Sequence, residues 1–272
     1  MSAEARSPYS FTPEDPHIPL QLRLLEQLLD PLTEQRLARL DVPDGARCWV
    51  AGAGGGSVAR ALARRVGPGG GTVLATDLDT AHLSWLLPEG PRLAVRRHDV
   101  VEEPAPPGGF DLIHARLLLL HLPRRRQVLQ AMAGALRPGG LLLVEEWDCT
   151  RPPRALAAPA PADARLFARV ADGILAALKA NGAGLDWAAQ VPAAMRDCGL
   201  SGIRTVEHTE TWRGGGAGCR LHRTNARQLA PRLRESGIPD ADLDRYAALT
   251  AEPALVTRSY PFLSTSAVRA AA

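Results

Sequence analysis

Short runs of apolar residues alternate along this chain with amphipathic stretches of helical period. Cys48 to Ala51 is apolar throughout, as a strand covered on both faces should be. After the glycines at 52, 54, 55 and 56, the residues Val58, Ala59, Leu62, Ala63 and Val66 recur at helical spacing, with Arg60, Arg64 and Arg65 on the opposite face. The pattern predicts a strand, a tight turn and an amphipathic helix. Four more apolar runs predict strands at Thr72–Asp79, Arg92–Arg97, Phe110–Ala115 and, after the RPGG turn at 137–140, across LLLVEEW. Helical patterns fall between them at Thr80–Leu87 and in the stretch opened by Pro123. Strands alternating with helices at these spacings predict a parallel sheet with right-handed crossovers.

The flanking segments read differently. Residues 1–17 carry Pro8, Pro13 and Pro16 among polar residues and are expected to form a loosely attached arm. Leucines repeat at helical spacing from Ile18 to Leu40. Within that run Asp30 and Pro31 read as an N-cap and a first helical position, which predicts two helices. Beyond a proline- and alanine-rich connector at 151–161, helices are expected at 162–180 and 186–198 and a strand at Ile203–Trp212. The GGGAG break at 214–218 precedes helices at 219–235 and 240–249. A final strand is expected at Leu255–Leu263, weakened by Pro261. This divides the chain into N-terminal arm and helices (1–44), a core (45–150) and a C-terminal part with cap helices and closing strands (151–272).

Composition narrows the classes. A chain of 272 residues, 46% hydrophobic and 22% charged, can bury a full core without metals or disulfides. Lys179 is the only lysine among 32 basic residues, so an individual arginine carries little weight as a phosphate ligand. The net charge is only +3 with no basic run interleaved with aromatics, which argues against nucleic acid as the partner. Cys48, Cys149, Cys198 and Cys219 form no C-x-x-C pair and read as free thiols of a reducing compartment. No apolar run approaches the roughly 18 residues of a membrane span, and no signal peptide is apparent. A cytoplasmic protein with no membrane partner is expected.

The glycine turn is the place to look for chemistry. Glycines let the backbone approach a ligand with no Cβ in the way, and a helix N-terminus follows. Gly54, Gly56 and Ala59 satisfy a G-x-G-x-x-A pattern, so on this stretch alone a nicotinamide or flavin cofactor, S-adenosylmethionine and a plain structural loop all remain open. Asp77 lies roughly 20 residues further on, at the end of the second strand, where an acid accepts hydrogen bonds from ribose hydroxyls. Asp79 better suits a helix cap. A parallel sheet of this kind binds ligands at its strand C-termini, which places the glycine turn, Asp77, Asp99, the segment His114–His121 and Glu145–Asp148 along one rim.

Taken as an ordered set, GAGGGSVARALA, VLATDLD, RRHDV, FDLIHARLLLLHLP and ALRPGGLLLVEEWD resemble the class I S-adenosylmethionine-dependent methyltransferases, and within them the small-molecule enzymes of bacterial natural-product pathways. The resemblance implies a Rossmann-like α/β fold: a mostly parallel seven-stranded sheet with helices on both faces, N-terminal helices, a helical cap and one closing strand inserted antiparallel. It implies S-adenosylmethionine as cofactor, with Gly52, Ala53, Gly54 and Gly56 along the methionine part, Asp77 on the ribose, Asp99 at the adenine amino group and Leu78 and Val100 sandwiching the ring. It also implies a small-molecule acceptor, with O-methylation of a secondary metabolite favoured and a homodimer allowed for. One position departs from the family. Two residues before the first glycine the family usually carries an acid that helps fix the turn and the cofactor's ammonium group, and Val50 stands there. A valine accepts no hydrogen bond, so an anchor is lost. The same departure admits an alternative, a methyltransferase fold turned to cyclisation or rearrangement, or to no catalysis.

Methyl transfer from a sulfonium needs donor and acceptor held in line, with a base where the acceptor is a hydroxyl or amine. His121, just after the fourth strand, is the candidate base because an unperturbed imidazole titrates near neutrality. Arg116 is placed on the cofactor carboxylate or a substrate anion, with solvation of the rim as the other reading. His114 reads as structural, and Glu146 as an acceptor-orienting group or a loop cap. Trp147, Trp187 and Trp212 fall near the expected cap, where aromatic walls would suit a flat, apolar acceptor, although tryptophans also serve as core.

Overall fold

The computed structural model describes residues 15–90 and 92–271. Most of the arm expected at 1–17 lies outside the described residues. The central sheet has seven strands in the order β3-β2-β1-β4-β5-β10-β7. These are β1 (Arg47–Ala51), β2 (Thr72–Asp77), β3 (Leu93–Arg97), β4 (Phe110–Arg116), β5 (Leu136–Trp147), β7 (Leu200–His208) and β10 (Phe262–Arg269). The first five are parallel, and β10 runs antiparallel between β5 and β7. This is the expected Rossmann-like fold with its one reversed strand. The order reverses between β1 and β4, which opens a crevice at their C-terminal ends.

Residue parity assigns each side chain to a face. Cys48, Val50, Leu112 and Leu143 pack with Val58 and Leu62 of α2 (Ser57–Val66) and Leu37 of α1 (Ile18–Leu37). The alternate residues Trp49, Ala51, Ile113 and Val144 pack with Val128 and Leu129 of α3 (Arg125–Ala135) and Val191 and Met195 of α5 (Trp187–Asp197). Strands buried on both faces therefore read as continuous apolar runs.

Several expected boundaries move. Asp30 and Pro31 do not divide the first helix, since α1 runs unbroken with Pro31 inside it. Tertiary bonds hold that middle turn: Asp30 accepts hydrogen bonds from Ser57 (2.9 Å) and Arg116 (2.8 Å). The segment at 81–89 is a 3-10 helix. The RPGG turn is absorbed into an irregular start of β5, where the pairing with β4 shifts register. In the C-terminal part the two long expectations each break. Ile203–Trp212 divides into β7 and β8 (Thr211–Arg213), and Leu255–Leu263 divides at Pro261 into β9 (Val256–Arg258) and β10. Two of these pieces join β6 (Ala155–Ala157), inside the expected connector, in a second antiparallel sheet of order β6-β9-β8. The helix expected at 219–235 breaks at Leu229, ahead of Pro231, into α6 (Ala217–Gln228) and α7 (Ala230–Glu235). They pack with α4 (Pro161–Ala180) and α8 (Asp240–Leu249), and α4 and α6 face the crevice. No helix among the described residues is long and apolar enough to cross a membrane.

Candidate active site

A cavity of about 360 Å³ lies over the C-terminal ends of the parallel strands. Its floor near β1 is formed by Val50, Gly52, Ala53 and Gly54. The ends of β2 and β3 add Asp77, Leu78, Asp99 and Val100, and β4 and the turn after it add His114, Arg116 and His121. Nine of the ten expected site residues thus line one space. The exception is Gly56, which caps α2 with φ 89° and whose missing Cβ would meet Leu86 at 2.6 Å. Its lack of a Cβ serves the packing of the 3-10 helix.

The turn is held by its neighbours. Asp77 Oδ2 accepts a hydrogen bond from the Gly54 amide at 2.8 Å and Oδ1 one from Asp79 at 3.2 Å. Burial raises its carboxyl above the ordinary range, against the pull of those amides. Asp79 accepts from the Ala81 amide at 2.9 Å, just ahead of the 3-10 helix, whose N-cap is Thr80 and not Asp79 as expected. Asp99 uses Oδ1 for the amides of Val101 (2.9 Å) and Glu102 (3.3 Å).

On the α1 side the polar groups are linked. Arg116 donates to Asp30 and to Thr33 Oγ1 (3.0 Å), Thr33 donates to Glu145 Oε2 (2.6 Å), and His114 Nε2 meets the same oxygen at 3.0 Å. Ser264 closes on Glu145 Oε1 from β10. Burial alone would favour neutral Glu145, but the bonds from His114, Ser264 and Thr33 hold its carboxyl below the usual range. Arg116, expected on a ligand anion, is therefore ion-paired within the protein while still facing the cavity.

On the opposite sheet face Glu146 Oε1 accepts from the amides of Leu119 (2.8 Å) and Leu120 (3.2 Å), fixing the 3-10 turn that carries His121. This is the loop-capping role. Complete burial pushes its pKa up to about 8. His121 lines the cavity, but its titration departs from the expectation: burial, with Arg125 adding, lowers it to about 4, so the ring is neutral at neutral pH.

The far part of the cavity is apolar: Trp147, Cys149, Ile174, Leu175, Leu178 and Tyr260. Trp147 stacks on Tyr260 (centroids 5.3 Å) and meets Trp212 edge-on behind it (6.5 Å). Gly218 permits this, because a Cβ there would lie 2.0 Å from the Trp212 ring. Trp187 is core, not wall. Leu22, Leu25 and Glu26 of α1 and Leu221 and Asn225 of α6, none of them expected as site residues, complete the lining. Helical periodicity marks their apolar faces but not which cavity they meet.

Residues 49–144 match the family model described as a methyltransferase domain. This segment is a class I S-adenosylmethionine-dependent methyltransferase domain. The chain is 30% identical over 154 residues to methyltransferase str3 of Strobilurus tenacellus, covering 54% of this chain and 51% of that protein. It is 32% identical over 142 residues to methyltransferase GfsG of Streptomyces halstedii, covering 51% and 49%. The chain thus spans about half the length of these curated relatives. Among solved structures, phosphoethanolamine N-methyltransferase 2 of Haemonchus contortus, bound to phosphomonomethylethanolamine and S-adenosylhomocysteine, superposes with a TM-score of 0.57 at 14% identity, covering 92% of this chain and 57% of that one. That likeness is one of fold.

Proposed function

We propose that the whole chain is an S-adenosylmethionine-dependent methyltransferase acting on a small, largely apolar molecule, with O-methylation of a secondary metabolite as the reaction. The observation that carries this reading is a single cavity with two chemically different ends, one of glycines and carboxylates and one of aromatic and aliphatic side chains. The residues present fit the cofactor. Two carboxylates end adjacent strands, glycines with φ of 65° and 56° floor the turn, and the buried His114 Nδ1 has no hydrogen-bond partner among the described residues. When bound, S-adenosylmethionine supplies a methyl group already activated by the sulfonium charge.

The chain's own residues then position and exclude. Gly52, Ala53 and Gly54 would hold the methionine part, Asp77 would take the ribose hydroxyls, and Asp99, with Leu78 and Val100, would hold the adenine. Arg116 lies near the carboxylate end while remaining tied to Asp30. Trp147 and Tyr260 hold the acceptor and keep water out. His121, held neutral, accepts the hydrogen bond of the acceptor hydroxyl. With so low a pKa it takes a full proton only as the transferring methyl makes that oxygen acidic. Calorimetric titration with S-adenosylmethionine and S-adenosylhomocysteine tests the cofactor, and incubation with hydroxylated aromatic acceptors and methyl-labelled donor tests the transfer. Micromolar binding with labelled methyl ether is expected; binding without any transfer would favour a repurposed fold.

A further inference from the structure

Val50 leaves the floor of the cavity without the acid that the family resemblance places there. In register, Val50 of β1 pairs with His114 of β4, and their side chains share a sheet face. Two residues along, Glu145 of β5 lies opposite Arg116, again on that face. A carboxylate is therefore present near the vacant position, two strands away from its usual one, with an imidazole reaching from it to the cavity wall.

The hydrogen bonds fix what that imidazole offers. Glu145 accepts from Thr33, Ser264 and His114 Nε2, and its buried carboxylate has no hydrogen to give. Nε2 of His114 then carries a proton, and in the neutral ring Nδ1 is a lone pair. His114 is 1% exposed, lines the cavity, and its Nδ1 has no partner among the described residues. A buried acceptor in that state calls for a donor from the ligand. An ammonium group supplies one, and the ionised Glu145 behind the ring compensates its charge.

We infer that the His114–Glu145 pair replaces the acid missing at Val50 and receives the ammonium of the amino-acid part of S-adenosylmethionine on His114 Nδ1. The inference rests on the cofactor reading above. It makes His114 a binding residue, where its sequence position suggested only a structural one, and Glu145 the positioning residue that sets its tautomer.

The test compares three ligands by calorimetry: S-adenosylhomocysteine, its analogue lacking the α-amino group, and 5′-methylthioadenosine, which lacks the whole amino-acid part. Wild-type protein should prefer S-adenosylhomocysteine over the desamino analogue by about tenfold or more, the range of a charge-assisted hydrogen bond. His114→Leu should bind those two about equally, with methylthioadenosine affinity unchanged. Should that variant fail to fold, imidazole nitrogen NMR of the wild type takes its place. The bare Nδ1 resonance of His114 should then move with S-adenosylhomocysteine and not with the desamino analogue. Equal wild-type affinity for those two ligands overturns the inference. So does loss of discrimination in Glu26→Gln but not in His114→Leu, since Glu26 stands over Gly55 as the rival carboxylate. Failure of wild-type protein to bind any of the three would instead overturn the cofactor reading itself.

Discussion

Asp77 and Gly54 are joined by a 2.8 Å hydrogen bond from the glycine amide to the carboxylate, so the acid ending β2 shapes the turn ending β1. The same carboxylate faces the cavity, and its removal acts on ligand and turn together. Asp77→Ala should weaken S-adenosylmethionine binding by about tenfold or more and lower stability by about 1–2 kcal/mol. Asp77→Asn, which still offers an oxygen to Gly54, should retain most of the stability. Calorimetry and urea unfolding separate the two effects; unchanged affinity in the alanine variant would count against a ribose role.

Restoring the family acid should not restore an anchor. Val50 is 2% exposed and packs among Cys48, Leu62 and Leu112, with the ionised Glu145 on the same face. A second buried carboxylate there has no cation of its own. Val50→Glu is expected to lose about 3 kcal/mol or more of stability and to gain no affinity for S-adenosylhomocysteine. Tighter binding in this variant, measured by calorimetry, would show the position to be merely vacant.

Glu146 should make stability depend on pH. Its carboxyl titrates near 8 in the folded chain against 4.5 as its ordinary value, so the folded state holds a proton that the unfolded chain releases. Its contribution is complete below about pH 4.5 and is lost as pH rises toward 8. Glu146→Gln keeps an acceptor for the Leu119 and Leu120 amides without the charge. The variant should match the wild type at pH 5 and exceed it by a few kcal/mol at pH 8.5, seen as a higher melting temperature.

Gly56 and Gly52 separate packing from binding. Gly56→Ala would sit at φ 89° with its Cβ 2.6 Å from Leu86, behind the turn, and should lower stability by about 1–3 kcal/mol. Gly52→Ala, in the cavity floor at φ 65°, should lower cofactor affinity as well. Affinity per correctly folded molecule, from active-fraction calorimetry, should be near normal for the first and reduced for the second.

The order of β1 to β5, the turn at the switch point and the acids at the ends of β2 and β3 were legible because each is a local pattern. Continuous apolar runs mark strands covered on both faces, glycines mark a turn of positive φ, and spacing along a βαβ unit fixes which acids reach the rim. The sequence by itself therefore determined the fold class, the family of the core and most of the cavity's turn end. It failed where distant contacts override local signals. Pro31 continues α1 because Ser57 and Arg116 hold Asp30, and residues 155–157 form a strand because β9 pairs with them. Only the tertiary structure decided the state of the ionisable groups. His121 and Glu146 meet complete burial and shift in opposite directions, while Thr33, Ser264 and His114 converge on Glu145 from three separate elements and keep it charged. Desolvation and hydrogen bonding depend on what surrounds a group in space, and no spacing along the chain encodes that.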